Sequence, residues 1–273
     1  MARYKIIIFL AIGCFLLNSC EKVIEFDLAG SNSVVVIEAN LTNNKMPVTV
    51  LVSKTSSYFG SNAGTPVSGA KVSVKIENGI PKYLTEVQAG VYRLEKIFAQ
   101  PGFWYVIEVV SDGVTYSAKS FLNRPVPIIN LTFSYFDGFG FFDSGYMANC
   151  FVRDPAETDN YYRIKYYVDG KPVSEQNGIT LFSDELFNGN EIGLSHQSFV
   201  FNETDTLTVE LQSIDRAAYN YFSTLEDISG PSWQQNAAPA NPNSNFNNGA
   251  LGYFSAYSYE RKTLVVKDFL ESK

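Results

Sequence analysis

The sequence predicts a mainly β protein: two β-sandwich domains in series, the second carrying one packed α-helix. Three observations predict it. Short runs of alternating apolar and polar residues recur along the chain, which is the two-residue period of half-buried strands. Gly, Asn, Asp and Pro interrupt these runs at short intervals while helix formers are sparse, as expected of sandwiches built from short strands. Only after Asp215 do apolar residues fall at helical spacing over several turns.

The amino terminus reads as a targeting segment. Arg3 and Lys5 precede an apolar run from Ile6 to Leu17, and Leu17-Asn18-Ser19-Cys20 then gives way to Glu21-Lys22. The run is too short to span a bilayer and fits a signal peptide over residues 1–19. The position of Cys20, just past the apolar run and behind the small Ser19, resembles a lipobox, so Cys20 is the expected lipid attachment site. Residues 20–30 are then a lipidated tether. Several acyl chains on one amino terminus anchor stably where a single chain is marginal. The expected location is the outer membrane, with the periplasmic and cell-surface faces both open.

Processing at Cys20 removes two of the 21 basic residues and leaves a net charge near −9 against 28 acidic residues. Polyanionic nucleic acid wants Lys and Arg clusters, so nucleic acid is excluded as a partner. Cys14 leaves with the signal and Cys20 carries lipid, so Cys150 has no partner for a disulfide. It lies in the apolar stretch Ala148-Asn149-Cys150-Phe151-Val152 and reads as a packing residue.

Strands follow from the alternation. Val72, Val74 and Ile76 alternate with Lys71, Ser73 and Lys75, and Phe103–Val110 is largely apolar on both faces. Tyr162, Ile164, Tyr166 and Val168 oppose a face with Arg163 and Lys165, and Leu207, Val209 and Leu211 alternate with Thr208, Glu210 and Gln212. Turn chemistry separates them at Glu77-Asn78-Gly79, Ala89-Gly90, Ser111-Asp112-Gly113 and Asp169-Gly170-Lys171. Asn123-Arg124-Pro125-Val126-Pro127 cannot sit in a central strand, which places the boundary between a first domain, 31–123, and a second, 125–273. In the second, Ala218, Tyr221, Phe222, Leu225 and Ile228 form one apolar stripe that Asp215 caps and Gly230-Pro231 ends, giving a helix over about 215–229. The Asn-rich stretch 234–249 reads as a long loop.

The run Pro66-Val67-Ser68-Gly69-Ala70-Lys71-Val72, then Gly90-Val91-Tyr92 and Tyr105–Val109, resembles the small immunoglobulin-like or transthyretin-like modules of carboxypeptidase regulatory-like domains. Across the chain, Cys20–Ile24, Asp154-Pro155-Ala156 with Asn160-Tyr161-Tyr162, Tyr219–Leu225 and Asn248–Phe254 occur in that order. Together they resemble a family of uncharacterised outer-membrane lipoproteins known only as a domain of unknown function, whose members tend to be encoded beside TonB-dependent receptors. The resemblance implies a lipid-anchored accessory or ligand-capturing partner of such a receptor, and it carries over no catalytic residue and no cofactor.

The residues themselves offer little catalysis. His196 is the one histidine, which excludes a multi-histidine metal centre, and no Gly-x-Ser-x-Gly elbow accompanies it. Ser68-Gly69-Ala70-Lys71 matches a bare Ser-x-x-Lys pattern at the start of a strand, where that chemistry needs a helix. Asp154–Asn160 gathers three carboxylates without the central glycine and distal glutamate of a calcium loop. It reads as a strand-connecting turn, with calcium as the alternative. The least ordinary stretch is Tyr135-Phe136-Asp137-Gly138-Phe139-Gly140-Phe141-Phe142-Asp143, five aromatics among glycines. Exposed, they would form a platform for a sugar ring or an apolar partner; folded back, they would cover the sandwich. Tyr58, Phe59 and Trp233, in loops, pose the same choice. The expectation is therefore a non-enzymatic partner of a TonB-dependent receptor, then a free-standing glycan- or peptide-binding protein, with a hydrolase last.

Overall fold

The computed structural model describes residues 33–44, 46–55, 64–140, 143–174, 179–195, 199–229 and 241–271, which belong to one compact unit. The expected signal peptide and tether, Cys20, Tyr58, Phe59, Phe141, Phe142, His196 and Trp233 lie outside them. The strands of the first half are β1 (Val35–Thr42), β2 (Val48–Lys54), β3 (Thr65–Pro66), β4 (Lys71–Ile76), β5 (Lys82–Tyr83), β6 (Thr85–Gln88), β7 (Val91–Leu94), β8 (Trp104–Ser111) and β9 (Val114–Phe121). The second half adds β10 (Ile128–Phe136), β11 (Gly145–Arg153), β12 (Tyr161–Val168), β13 (Lys171–Pro172), β14 (Thr180–Ser183), β15 (Glu191–Leu194) and β16 (Thr206–Ile214). Helix α1 (Arg216–Ser229), strand β17 (Leu251–Val265) and the short helix α2 (Val266–Glu271) follow. The architecture is mainly β, with its sheets grouped as two sandwich-like layers and a short helical region.

One ten-stranded sheet runs through both sandwiches in the order β13-β12-β16-β17-β1-β2-β7-β6, with β14 beside β12 and β3 beside β2. The sheet β5-β4-β8-β9 covers one part of it and β10-β11-β15 another. Val50, Val52, Val72, Val74, Tyr105 and Ile107 interdigitate in the first core. Leu131, Phe133, Cys150, Tyr162, Ile164, Leu207 and Val209 fill the second. The alternation read from the sequence is what buries them: β1 alternates buried and half-buried residues along its whole length. Both Asp-Gly turns have positive φ at each central residue, Asp112 and Gly113 at 51° and 77°, Asp169 and Gly170 at 50° and 76°. That pair of angles matches the right-handed twist of the strands they join.

Strand β17 joins the two sandwiches. Its first half pairs in parallel with β1, from Leu251 opposite Val36 to Tyr257 opposite Thr42. Its second half pairs antiparallel with β16, from Ser258 opposite Ser213 to Val265 opposite Thr206. At about 3.3 Å per residue its fifteen residues reach about 50 Å. The division expected after Asn123 therefore does not hold to the carboxy terminus. Phe246, Ala250, Phe254 and Ala256 belong to the first core, because the parallel partner of β1 comes from the end of the chain.

Helix α1 spans the segment where helical spacing was read. The Asp215 carboxylate accepts from the Ala218 amide at 2.8 Å, an N-cap. The helix packs on the outer face of the long sheet through Ala218, Tyr221 and Phe222, with Tyr221 and Phe222 against Tyr253 at 4.7 and 4.8 Å. It also buries Arg163, which alternation puts on the face opposite Tyr162 and Ile164. Its guanidinium lies 3.9 Å from the Phe222 ring centre, because the helix covers the face that the strand period alone leaves open.

Candidate functional site

The end of the molecule that presents aromatics is fixed by register. Ser33 and the start of β1 lie where β17 begins, since Val36 faces Leu251 in parallel. Strand β17 leads away from that end, and β10 accompanies its second half: Lys262 donates to the Ile129 carbonyl at 3.1 Å, and Phe269, just past β17, meets Phe133 at 5.5 Å. The β10–β11 tip therefore lies at the opposite end of the molecule from Ser33.

At this tip Tyr135 is 57% and Phe139 82% exposed, while Phe136 is half-buried beside Gly145. The aromatic stretch thus divides between the two readings that the sequence left open. Tyr135 stands edge-on to Tyr146 at 5.1 Å, and the Tyr146 hydroxyl donates to the Glu203 carboxylate at 3.0 Å. That hydrogen bond raises the Tyr146 pKa above the ordinary tyrosine value, so the hydroxyl stays a donor and holds the ring under Tyr135. Gly138 and Gly140 have φ of 77° and 62°, a left-handed backbone open to glycine, and between them Phe139 projects. Tyr146 and Glu203 were not legible as site residues, since only the pairing of β10 with β11 and the bridge from Tyr146 to Phe201 bring them here.

A second concavity lies at the mouth of the second core. Ile164, Tyr166, Pro172, Val173, Thr180 and Phe199 line a cavity of about 200 Å³, with Lys165 at its wall. The Thr180 hydroxyl is buried without a hydrogen-bond partner among the described residues, and the Tyr166 ring packs on Phe199 at 5.3 Å.

The remaining polar clusters are structural. Asp154 turns its carboxylate inward, accepting from the Tyr162 hydroxyl at 2.5 Å and the Gly189 amide at 3.0 Å. Asp184 accepts from the Asn160 amide at 2.8 Å. These bonds tie down the 154–160 turn, the reading favoured from sequence over a calcium loop. Among the described residues no group of three or more His, Cys, Asp or Glu is placed to hold a metal ion. Cys150 is buried, and burial pushes its thiol up to about 12. Glu210 lies buried beneath Arg261, whose Nε and Nη2 donate to it at 2.7 and 2.6 Å. Among the described residues no helix is long and apolar enough to cross a membrane.

A family model described as "Domain of unknown function (DUF4249)" matches residues 21–263. Comparison with curated proteins gave no match. Among solved structures, the chain is similar to a two fibronectin type-III domain segment from chicken tenascin, at 13% identity and a TM-score of 0.21, over 67% of this chain and 91% of that one. It is also similar to the structure titled "Crystal structure of CBD12 from CALX1.2", at 11% identity and a TM-score of 0.19, over 84% of this chain and all of that one.

Proposed function

The chain belongs to the DUF4249 family, and on that premise we propose that it is a non-catalytic binding module, anchored by lipid on Cys20 and acting as accessory to a TonB-dependent receptor of the outer membrane. The observation that carries the reading is the separation of two ends. The chain enters the fold beside Val36, whereas Tyr135 and Phe139 stand exposed at the other end. An anchor at one end and exposed aromatics at the other suit a protein that meets a partner away from its tether, and aromatic side chains bury large areas at protein interfaces. The immunoglobulin-like or transthyretin-like character of the first sandwich belongs to the same reading.

The test is recovery of a barrel protein with the carboxy-terminally tagged chain from native membranes. Copurification that drops about tenfold or more in Tyr135→Ala/Phe139→Ala supports the reading. A chain recovered alone from gentle detergent extracts overturns it. A free-standing glycan- or peptide-binding role is the second reading, favoured by the cavity beside Tyr166, Phe199 and Thr180. Glycan-array binding that survives Phe139→Ala and is lost on filling the cavity with Val173→Trp would select it.

A further inference from the structure

From the cavity at the mouth of the second core we infer that this chain holds a small uncharged ring carrying one hydroxyl group, of the size of a phenol, packed against Tyr166 and Phe199 and hydrogen-bonded to the Thr180 hydroxyl; this rests on the reading of the chain as a free-standing ligand binder. The cavity follows from how the edge of β12 is used. Strand β14 pairs with Tyr161–Ile164 and β13 with Tyr167–Val168, both on the edge that β16 leaves open. Between them the Val173 amide donates to the Tyr166 carbonyl at 2.8 Å, and no described strand residue pairs with Lys165 on that side. Ile164 and Tyr166 turn to the core side of this gap, and Thr180, directly opposite Ile164, shares their face. With Pro172, Val173 and Phe199 they enclose about 200 Å³.

The size suits a single ring. An apolar cavity of roughly 150 Å³ holds a benzene molecule, so about 200 Å³ takes a ring with a substituent or two. It falls short of the ~300–1,000 Å³ of pockets for drug-sized ligands. The walls are apolar and largely neutral. Tyr166, Pro172 and Phe199 present rings, the first and last packed at 5.3 Å with planes tilted by 43°, and an aromatic guest gains from such walls beyond its buried area. Burial raises the Tyr166 pKa above the ordinary tyrosine value, so its phenol stays protonated. Lys165 is the one charged residue of the wall, and across β12 and β16 it falls opposite Glu210, a neighbour of opposite charge.

The polar group of the ligand is set by Thr180. It is 2% exposed, and its hydroxyl has no hydrogen-bond partner among the described residues. Buried polar groups of a folded core are bonded, so one left open in a cavity wall calls for a partner from outside. Valine would fill the same volume without stranding a hydroxyl. Threonine at this position therefore suits binding better than it suits folding. A hydroxyl both donates and accepts, and a single one matches a single hydroxyl of the ligand. A sugar would bring several hydroxyls against walls that bond one, and a carboxylate would have to leave water for an apolar surface.

The test is calorimetric titration of the full chain in detergent with p-cresol, the heat of the micelles alone being subtracted. Saturable binding is expected, about tenfold or more tighter than that of toluene, a preference of the size one hydrogen bond supplies. Thr180→Val is expected to erase that preference and to leave the melting temperature unchanged or higher. Val173→Trp, which fills the cavity, is expected to abolish binding of both probes. Absence of saturable p-cresol binding overturns the inference, as does binding that survives Val173→Trp or a preference for p-toluate over p-cresol. A melting temperature lowered by several degrees in Thr180→Val would also overturn it, by giving the hydroxyl a structural partner. N-acetyltyrosine methylamide that competes with p-cresol would support the site with a peptide side chain as the source of the ring, and its exclusion would support it with a free phenol. Glycan-array binding lost in Val173→Trp, with no p-cresol binding, would overturn the phenol-sized ligand and leave the glycan reading standing.

Discussion

The Asp215 carboxylate joins the two sandwiches: one oxygen accepts from the Phe121 amide at the end of β9, at 2.9 Å, while the other caps α1 at the Ala218 amide. Asn123 adds a bond to the Ile214 carbonyl at 2.8 Å, so the expected linker is tied to the strand that precedes the helix. Losing a cap costs about 1 kcal/mol and stranding a buried amide about 1–3 kcal/mol. Asp215→Ala is therefore expected to lose about 2–4 kcal/mol in denaturant unfolding, and Asp215→Asn, with one acceptor oxygen, about half of that.

Burial raises the Asp215 pKa above the ordinary aspartate value, against the hydrogen bonds from Ala218 and Phe121 that lower it. The folded state therefore holds this proton at pH values where the unfolded chain has released it, and stability from this group falls as pH rises through the window between the two values. Titrating downward from neutral pH, the group is expected to add stability until the ordinary aspartate range near pH 4 is reached. Asp215→Asn should flatten that part of the pH–stability curve, which denaturant midpoints across pH would reveal.

Tyr162 and Asp154 are both buried and bonded to each other. Tyr162→Phe leaves a carboxylate oxygen without its donor and is expected to cost about 1–3 kcal/mol. Because Asp154 is bonded to Tyr162 and Gly189, a calcium chelator is expected to leave the melting temperature of wild type unchanged. A chelator-induced drop of several degrees would mean that the turn binds an ion after all.

The parallel contact of β1 with β17 leaves no room at Gly252. Its φ is 92°, and a Cβ there would lie 2.1 Å from the Ile37 carbonyl oxygen. Gly252→Ala should therefore destabilise the first sandwich strongly, as should Phe254→Ala, at about 3–5 kcal/mol for a fully buried ring. Limited proteolysis followed by mass spectrometry would show cleavage appearing first within residues 65–121.

Cys150 is expected to resist alkylation at pH 8 in the folded protein and to react once in denaturant. Its thiol is buried and its pKa is about 12, and the thiolate is the reactive form. Labelling at the free-cysteine rate without denaturant would show that the second core opens readily.

How much of this was legible follows the range of the interaction. The strands at 71–76, 161–168 and 206–214, the Asp-Gly turns and the helix capped by Asp215 all express periods or side-chain–backbone contacts spanning a few residues. So does the burial of Cys150, which sits on the apolar side of its own strand. The aromatic stretch at 135–142 stood out from composition, but whether Tyr135 or Phe139 faces water depends on where β11 returns beside β10, and alternation does not specify that.

By itself, then, the sequence determined the β class, the position and cap of the helix, the turns and the membership of a family of unknown function. Only the tertiary structure decided that β17 completes both sandwiches and that α1 buries Arg163. The physical reason is that a strand's period fixes which side chains share a face and says nothing about its neighbours. Those are chosen by contacts between residues hundreds of positions apart, such as Ile37 with Gly252, whose loop-closure cost and packing no local pattern records.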